Sequence, residues 1–304
     1  VMAKDAKEWD SALAYFDRAL ELEPNLAEAH VNLGVTFKEL GRLSEAEACY
    51  QKATALKPDF AEAHYSLGNT LKELGKLEEA LASYAKALTL KPDLAEAHNN
   101  LGSALQQLGR YEEAETRYRE AIALNPSFAG AHSNLGTTLK HLGRLDEALA
   151  SFVNELALEP ECADTYANLG NLIKVVRFSS QNRELYPILT QLLIGGNHVR
   201  PKYLAEGVLS LLKHDPLIEE WLLEKEFDLN LGEAISLVER LDQLPLLHHL
   251  MRLSPLPDLK FERLFVVLRK TLLVNLHKIK ISPELINFLS TLALHNFINE
   301  YIFS

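Results

Sequence analysis

The stretch AEAHYSLGNTLKELGKLEEALASYAKALTLKPDL, residues 61–94, is followed at once by AEAHNNLGSALQQLGRYEEAETRYREAIALNPSF, residues 95–128. The two segments align without a gap, and the same step of 34 residues continues outward in both directions. The step links glycines, prolines, alanines and aromatic residues, namely Gly34, Gly68, Gly102, Gly136 and Gly170; Pro24, Pro58, Pro92, Pro126 and Pro160; Ala12, Ala46, Ala80, Ala114 and Ala148; and Phe16, Tyr50, Tyr84, Tyr118 and Phe152. A fixed period of this length indicates a chain of stacked, similar units.

Each unit has the pattern of two helices. A second set of glycines ends the first helix of each pair, where a left-handed residue is needed: Gly41, Gly75, Gly109 and Gly143. Residues that follow the prolines are predicted as N-caps, with a glutamate three residues later completing capping boxes: Asn25, Asp59, Asp93 and Ser127, then Glu28, Glu62 and Glu96. One such hairpin cannot bury its apolar face alone, so stacking must supply the core.

The spacing of Gly, Ala, aromatic residue and Pro resembles the tetratricopeptide repeat. The resemblance covers residues 1–178 and implies an all-α, right-handed superhelical solenoid. We expect a partial first unit, four full repeats over 27–162, and a divergent fifth that begins at 163. Because Val1 aligns just after a Leu-Gly position, we expect a first helix to be cut or absent upstream.

Residues 179–304 lose the repeat but keep a helical pattern, which predicts an irregular all-helical region that caps or extends the solenoid. Four of its strings resemble the linker of a bacterial family in which tetratricopeptide repeats precede a class I S-adenosylmethionine-dependent methyltransferase: residues 211–216, 253–258, 261–264 and 297–301. The resemblance implies that a catalytic domain follows Ser304; some members of that family methylate proteins.

Composition excludes several classes of function. The net charge is −11, and residues 1–170 carry 16 Lys and Arg against 27 Asp and Glu, which argues against nucleic-acid binding because phosphates must be neutralised. No run of 18 apolar residues predicts a membrane span. Since Cys49 and Cys162 are the only cysteines, a disulfide framework is excluded, and a reduced, cytoplasmic location is expected.

The sequence offers no catalytic site. Gly195-Gly196 lacks the third glycine and the preceding strand of a nucleotide-binding turn, so it predicts the end of a helix. Four histidines also follow the 34-residue step, but successive copies fall on successive hairpins, which favours packing over metal binding: His30, His64, His98 and His132. We therefore predict no enzyme, no cofactor and no metal within this chain.

The informative positions are those that the fold does not need. Asparagine stands just before the Leu-Gly pair in four of five units, at Asn32, Asn100, Asn134 and Asn168, and Ser66 interrupts the series. Asparagine inside a helix costs roughly 0.5 kcal/mol relative to alanine, so its recurrence calls for a reason. The column resembles the asparagine ladder of O-linked N-acetylglucosamine transferase, which implies amides that hold the backbone of an extended peptide. The alternative is a harmless residue inherited through duplication.

A second column follows one turn later on the same predicted helix face. It contains two further asparagines and four lysines, namely Asn69, Asn171, Lys38, Lys72, Lys140 and Lys174. Lysines aligned in an acidic protein create a local positive stripe that suits acidic side chains or a terminal carboxylate. The alternative is that each lysine pairs with a nearby glutamate, such as Lys38 with Glu45 or Lys72 with Glu79.

These features predict a protein-interaction module that binds an extended peptide or protein substrate in its groove and recruits it for an attached methyltransferase. The alternative function is an assembly scaffold that forms a homo-oligomer through the open repeat edge or the apolar C-terminal region.

Overall fold

The computed structural model describes residues 2–195, 200–223, 229–254, 256–279 and 282–297. Within these ranges the chain forms seventeen α-helices and one short 3-10 helix, and no strand. The all-α fold class is confirmed. The chain divides into two compact units, Val1–Leu158 and Glu159–Ser304.

The first unit is a solenoid of helical hairpins. Its nine helices are α1 (Met2–Leu22), α2 (Ala27–Glu39), α3 (Leu43–Leu56), α4 (Ala61–Glu73), α5 (Leu77–Leu90), α6 (Ala95–Gln107), α7 (Tyr111–Leu124), α8 (Ala129–His141) and α9 (Leu145–Leu158). The even-numbered helices are the first helices of the repeats, and the odd-numbered ones from α3 are the second helices. The two helices of each hairpin from α2–α3 to α8–α9 pack on each other, and successive hairpins within this unit contact each other.

The glycine that ends each first helix is confirmed. Gly41, Gly75, Gly109 and Gly143 have φ between 73° and 75°, a left-handed conformation that glycine adopts without steric cost. The chain reverses there and starts the second helix two residues later.

The predicted N-caps at Asn25, Asp59, Asp93 and Ser127 are wrong. The helices begin two residues further on, and the capping positions are apolar residues whose side chains accept no bond: Leu26, Phe60, Leu94 and Phe128. The physical reason is that proline and its successor form a turn, which displaces the polar side chain from the first free N–H groups. The capping boxes fail with them, and Glu28 instead pairs with Lys57 at 3.0 Å.

Each hairpin closes on one aromatic side chain. Tyr50, Tyr84, Tyr118 and Phe152 are buried in the second helices and lie against the Leu-Gly glycine of the first. A Cβ atom on Gly102 would stand 2.8 Å from Cε1 of Tyr118, closer than carbon atoms approach. The glycines of this series are therefore needed for close packing of the two helices.

The second unit is an irregular bundle. Its helices are α10 (Ala163–Ile173), α11 (Leu185–Gly195), α12 (Pro201–Leu212), α13 (Glu219–Leu223), α14 (Leu231–Asp242), α15 (Pro245–Leu253), α16 (Leu259–Val274), the 3-10 helix Leu276–Lys278, and α17 (Pro283–Phe297). Its core consists mainly of leucines contributed by α11, α12, α14, α15 and α16. The unit includes α10, which the sequence pattern assigns to the fifth repeat; the division into 1–178 and 179–304 stays a prediction.

The turn after α12 is fixed by a buried carboxylate. Asp215 accepts bonds from Nε and Nη2 of Arg183 at 3.0 and 2.8 Å and from the hydroxyl of Tyr186 at 2.7 Å. Burial raises the pKa of Asp215, but the bonds from Arg183, from the backbone N–H of Leu217 and from Tyr186 outweigh it and hold the pKa below its ordinary value. This group is structural, since every contact stabilises one turn of the chain.

Parts of two sequence predictions lie outside the described residues. The helix stop predicted at Gly195-Gly196 lies at the edge of the described residues, since α11 is described as far as Gly195 and residues 196–199 are not described. Of the strings that resemble the methyltransferase linker, residues 255 and 298–301 are not described either.

Candidate functional site

The candidate asparagines of the first unit lie on one face, made by the first helices α2, α4, α6 and α8, which we call the first-helix groove. Asn32 on α2 is exposed, whereas Asn69, Asn100 and Asn134 are half-buried. Consecutive first helices contact each other directly. The groove is therefore a continuous surface of the first unit, with half-buried amides on three consecutive helices.

Asparagine side chains join α4 to α6. The amide nitrogen of Asn100 donates to Oδ1 of Asn69 at 2.9 Å and to the hydroxyl oxygen of Tyr65 at 3.1 Å. The same Oδ1 accepts from the buried hydroxyl of Tyr84 at 2.8 Å. Asn69 is thereby oriented by the hairpin that carries it and by the next repeat.

A second link joins α6 to α8. The amide nitrogen of Asn134 donates to Oδ1 of Asn99 at 3.0 Å, and the nitrogen of Asn99 donates to Oδ1 of Asn100 at 3.3 Å. We call the four side chains Asn69, Asn99, Asn100 and Asn134 the amide ladder. It spans three consecutive repeats with one orientation for each amide.

The ladder changes what each amide offers to a ligand. An asparagine has two N–H donors and one carbonyl oxygen. Both donors of Asn100 are used within the protein, so this residue holds its neighbours. Among the described residues, the amide nitrogen of Asn69 has no partner and Asn134 uses one of its two N–H donors, as does Asn99. These three amides therefore keep donors for an outside partner.

Sequence analysis missed Asn99 and Tyr65. Both stand one position before the asparagine column, and Ser133 is the corresponding residue of the next repeat. The recurrence of polar residues at that position was the available signal. Their role follows only from the distance between stacked helices.

The lysines of the groove are partly neutralised. Nζ of Lys38 lies 2.8 Å from Oε1 of Glu73 in the next repeat, rather than on Glu45 as the alternative interpretation had it. Burial lowers the pKa of Lys72; Glu73 raises it, and Lys38 lowers it further. Lys140 is half-buried. Lys72 is thus a half-buried cation whose surroundings disfavour its charge, which an acidic ligand would offset.

The remaining candidates belong to the second unit. Asn168 is half-buried and Asn171 is exposed on α10. Nζ of Lys174 donates to Oδ1 of Asn171 at 2.8 Å and lies 5.6 Å from the centre of the Tyr203 ring. Lys174 and Asn171 are therefore hydrogen-bond partners of each other.

The repeated histidines hold turns. Their Nε2 atoms donate to the carbonyl oxygen of the proline six residues earlier at 3.0–3.1 Å, in the pairs His30–Pro24, His64–Pro58, His98–Pro92 and His132–Pro126. Within the described part of the chain, no three His, Cys, Asp or Glu side chains are placed to share a metal ion. Burial raises the pKa of the Cys49 thiol to about 11, which makes it a poor nucleophile.

Comparison with known proteins identifies the repeat. Models of the tetratricopeptide repeat match residues 15–48, 36–75, 68–109 and 99–170, which together run without a gap over half of the chain. The chain belongs to the tetratricopeptide repeat family. No curated protein sequence matches it.

Solved tetratricopeptide structures match the repeat region. MamA is 26% identical, with a TM-score of 0.50 over 53% of this chain and 94% of MamA. YrrB, described as a TPR protein with an unusual peptide-binding site, is 26% identical, with a TM-score of 0.52 over 60% of this chain and 93% of YrrB. The pilus biogenesis factor PilW, 22% identical with a TM-score of 0.54 over 66% of this chain and 91% of PilW, shares the fold.

The repeat region has the tetratricopeptide fold, which is generally that of a protein-interaction domain. None of the described helices combines the length and the apolar character needed to cross a lipid bilayer.

Proposed function

We propose that the first-helix groove binds an extended segment of a partner protein. The observation that carries this proposal is the amide ladder, because it presents oriented, half-buried amides on three consecutive repeats. Extended backbone offers N–H and C=O groups at regular spacing, which amides of fixed orientation can pair without regard to side chains. Preorganised donors reduce the entropy lost on binding. YrrB, a relative of similar length in this region, supports peptide binding by such repeats.

The lysines of the groove determine which extended segments it prefers. Lys72 and Lys140 are half-buried in the groove, and burial lowers the pKa of Lys72. An acidic side chain or a terminal carboxylate beside Lys72 would restore the favourable environment that the free protein denies its ammonium group. We therefore expect the preferred partner segment to be acidic.

A library of random linear peptides, selected on the protein, tests this function. Selected peptides should lose about tenfold in affinity when Asn69→Ala and Asn134→Ala are combined, which corresponds to one to two lost hydrogen bonds. Gln51→Ala, an exposed amide on the second helix α3, is the matched control and should bind as the wild type does. Calorimetry that finds equal affinity for the ladder variant and the control would refute the proposal.

Recruitment of substrate for an attached S-adenosylmethionine-dependent protein methyltransferase is the finer part of the proposal. It is supported by the strings of the second unit that resemble the linker of such fusions. The resemblance of the column Asn32, Asn100, Asn134 and Asn168 to the asparagine ladder of O-linked N-acetylglucosamine transferase supports handling of protein substrates. The coding sequence downstream of Ser304 tests it. A strand, a glycine-rich turn and a helix are expected there, and their absence would remove the methyltransferase from the proposal.

A second candidate function is self-assembly, favoured by an exposed apolar stripe on α16. Leu259, Val266 and Leu273 are 74%, 51% and 58% exposed and repeat every seven residues, so they share one helix face. Sedimentation at high concentration should show a dimer that Val266→Glu with Leu273→Glu dissociates, whereas Val175→Glu, at another exposed valine, should not. A strict monomer would exclude this function.

A cytoplasmic location belongs to the same proposal. It is supported by the two cysteines, Cys49 and Cys162, which are free thiols in the structure. Cell fractionation with a tagged full-length protein is the direct test.

A further inference from the structure

A pocket opens between two second helices of the first unit, away from the amide ladder. It lies between α7 and α9, with α8 as its floor, and has a volume of about 380 Å³. Pockets that hold small ligands or single anchoring side chains begin near 300 Å³. We call it the outer pocket; the residues that matter here are His132, Leu135 and Leu139 on the floor, and Ala150, Ser151 and Asn154 on the α9 wall.

The preceding repeat carries a carboxylate at the corresponding position. Its floor on α6 carries the same residue types, His98, Leu101 and Leu105, 34 positions earlier. The wall on α7 carries Glu120, whose Oε2 lies 2.9 Å from Nδ1 of His98 and 2.7 Å from Nη1 of Arg117. A carboxylate of the α7 wall therefore contacts the histidine of the floor in that repeat.

The α9 wall lacks these groups. Thr116, Arg117 and Glu120 are replaced by Ala150, Ser151 and Asn154, and the Ser151 hydroxyl is turned back to the carbonyl of Glu147 at 2.9 Å. Shorter side chains leave space where the preceding repeat has an ion pair. The same floor is thereby opened to an outside group.

His132 marks the polar end of the pocket. It is 8% exposed, and its Nε2 donates to the carbonyl oxygen of Pro126 at 3.0 Å. No described side chain pairs with its Nδ1, although Nδ1 of His98 in the same position faces a carboxylate. Since Nε2 is held by Pro126, Nδ1 is the ring atom of His132 that remains for an outside group.

We propose that the outer pocket binds a glutamate side chain of a partner protein. The carboxylate would take the place at His132 that Glu120 takes at His98, and its aliphatic stem would lie on Leu135 and Leu139. Arg119 and Glu147 at the rim already pair with each other at 2.9 Å, so neither supplies an uncompensated charge. The proposal is independent of the first-helix groove, because no ladder residue lines this pocket.

The blocked tripeptide acetyl-leucyl-glutamyl-leucinamide is a direct probe, with the glutaminyl peptide as its neutral control. We expect saturable shifts of the His132 ring signals in the NMR spectrum of the full chain, and about tenfold weaker binding of the glutaminyl peptide, as for loss of a charge-assisted hydrogen bond. Equal binding of the two peptides, or no shift at His132 with either, would overturn the proposal.

Two double variants with opposite expected effects separate a specific loss of binding from misfolding. Ser151→Arg with Asn154→Glu copies the ion pair of the preceding repeat and should abolish the shifts at His132. Arg117→Ser with Glu120→Asn should open a second pocket and make His98 respond to the glutamyl peptide. An ion-pair variant that still responds at His132, or an opened one in which His98 stays silent, counts against the proposal.

Discussion

At the scale of single residues, contact between a glycine and an aromatic ring sets the distance between the two helices of each hairpin. The Leu-Gly glycine of every full repeat faces the ring of the second helix, and the rings are fully buried. Overpacking of a well-packed core is destabilising because side chains or backbone must move to relieve it. The glycines that face a ring should therefore tolerate substitution much less than glycines elsewhere in the first helices.

Gly102→Ala should destabilise the protein by about 1–3 kcal/mol, because the new Cβ would meet the Tyr118 ring at 2.8 Å. Gly130→Ala is the matched control in the next first helix, where a Cβ would meet only the edge of Phe128 at 3.5 Å. The control should change stability by about 0.5 kcal/mol or less. Urea denaturation of both variants measures the difference; equal losses would contradict this packing argument.

His248 makes the second unit sensitive to pH. Its ring is buried between α15 and α17, and its Nδ1 lies 3.0 Å from Oγ1 of Thr291. Burial lowers its pKa below the ordinary value of 6.5; Asp242 raises it, and Arg252 lowers it. The folded ring therefore resists protonation that the unfolded ring accepts.

The sign of the effect follows from linkage. Below pH 6.5 the unfolded state binds a proton at His248 that the native state does not, so the free energy of unfolding falls as the pH falls. His248→Gln keeps a polar side chain without the titration. We expect denaturant midpoints at pH 7.5 and pH 5.5 to differ less in this variant than in the wild type; the same pH dependence in both would exclude His248 as the cause.

At the scale of elements, the first helices of the repeats begin differently from α14 of the second unit. These first helices start with an apolar capping residue after a proline turn. Helix α14 instead has a full capping box, in which the backbone N–H of Glu233 donates to Oδ1 of Asn230 and the N–H of Asn230 donates to the Glu233 carboxylate, at 3.0 and 2.9 Å. Both kinds of helix are supported by packing against their neighbours, and α14 has in addition a side-chain cap that the first helices of the repeats lack.

Asn230→Ala should cost about 0.5–2 kcal/mol of stability, the usual cost of losing an N-cap. Asp93→Ala is the contrasting variant, because the sequence predicts a cap there and the structure has Leu94 in that position. Its effect should stay within about 0.5 kcal/mol. Thermal unfolding followed by circular dichroism compares the two, and a larger loss for Asp93→Ala would reverse the correction made above.

At the scale of the whole molecule, the first unit is a chain of nearest-neighbour contacts. Each hairpin packs on the one before and the one after, and more distant hairpins do not share a core. The stability of such a solenoid is approximately a sum over units and their interfaces. Damage to one repeat should therefore stay local.

Gly34→Ala tests this locality, since its Cβ would meet the Tyr50 ring at 2.8 Å in the first full repeat. Hydrogen exchange should accelerate in α2 and α3 and stay unchanged in α8 and α9. Faster exchange across the whole first unit would show that it unfolds as one cooperative body.

The sequence was sufficient to predict the repeat but not the hydrogen bonds of the amide ladder. The positions of Gly41 and Gly102 predict the turn and the hairpin because both depend on residues within a single unit. The N-cap at Asp93 was wrong because the backbone path after Pro92, rather than residue preference, decides where the first free N–H groups point. The roles of Asn99 and Tyr65 were missed because their partners are 35 residues away.

The amino-acid sequence by itself determined an all-α repeat protein, because a period of 34 residues encodes one hairpin and its stacking surface at every step. Tertiary structure alone decided which amides are used internally and which remain for a partner. Asn100 and Asn134 occupy equivalent positions in the sequence. Asn100 donates both of its N–H groups to side chains of α4, whereas Asn134 donates one and keeps the other. The difference arises from distances between side chains on neighbouring helices, which no local pattern specifies.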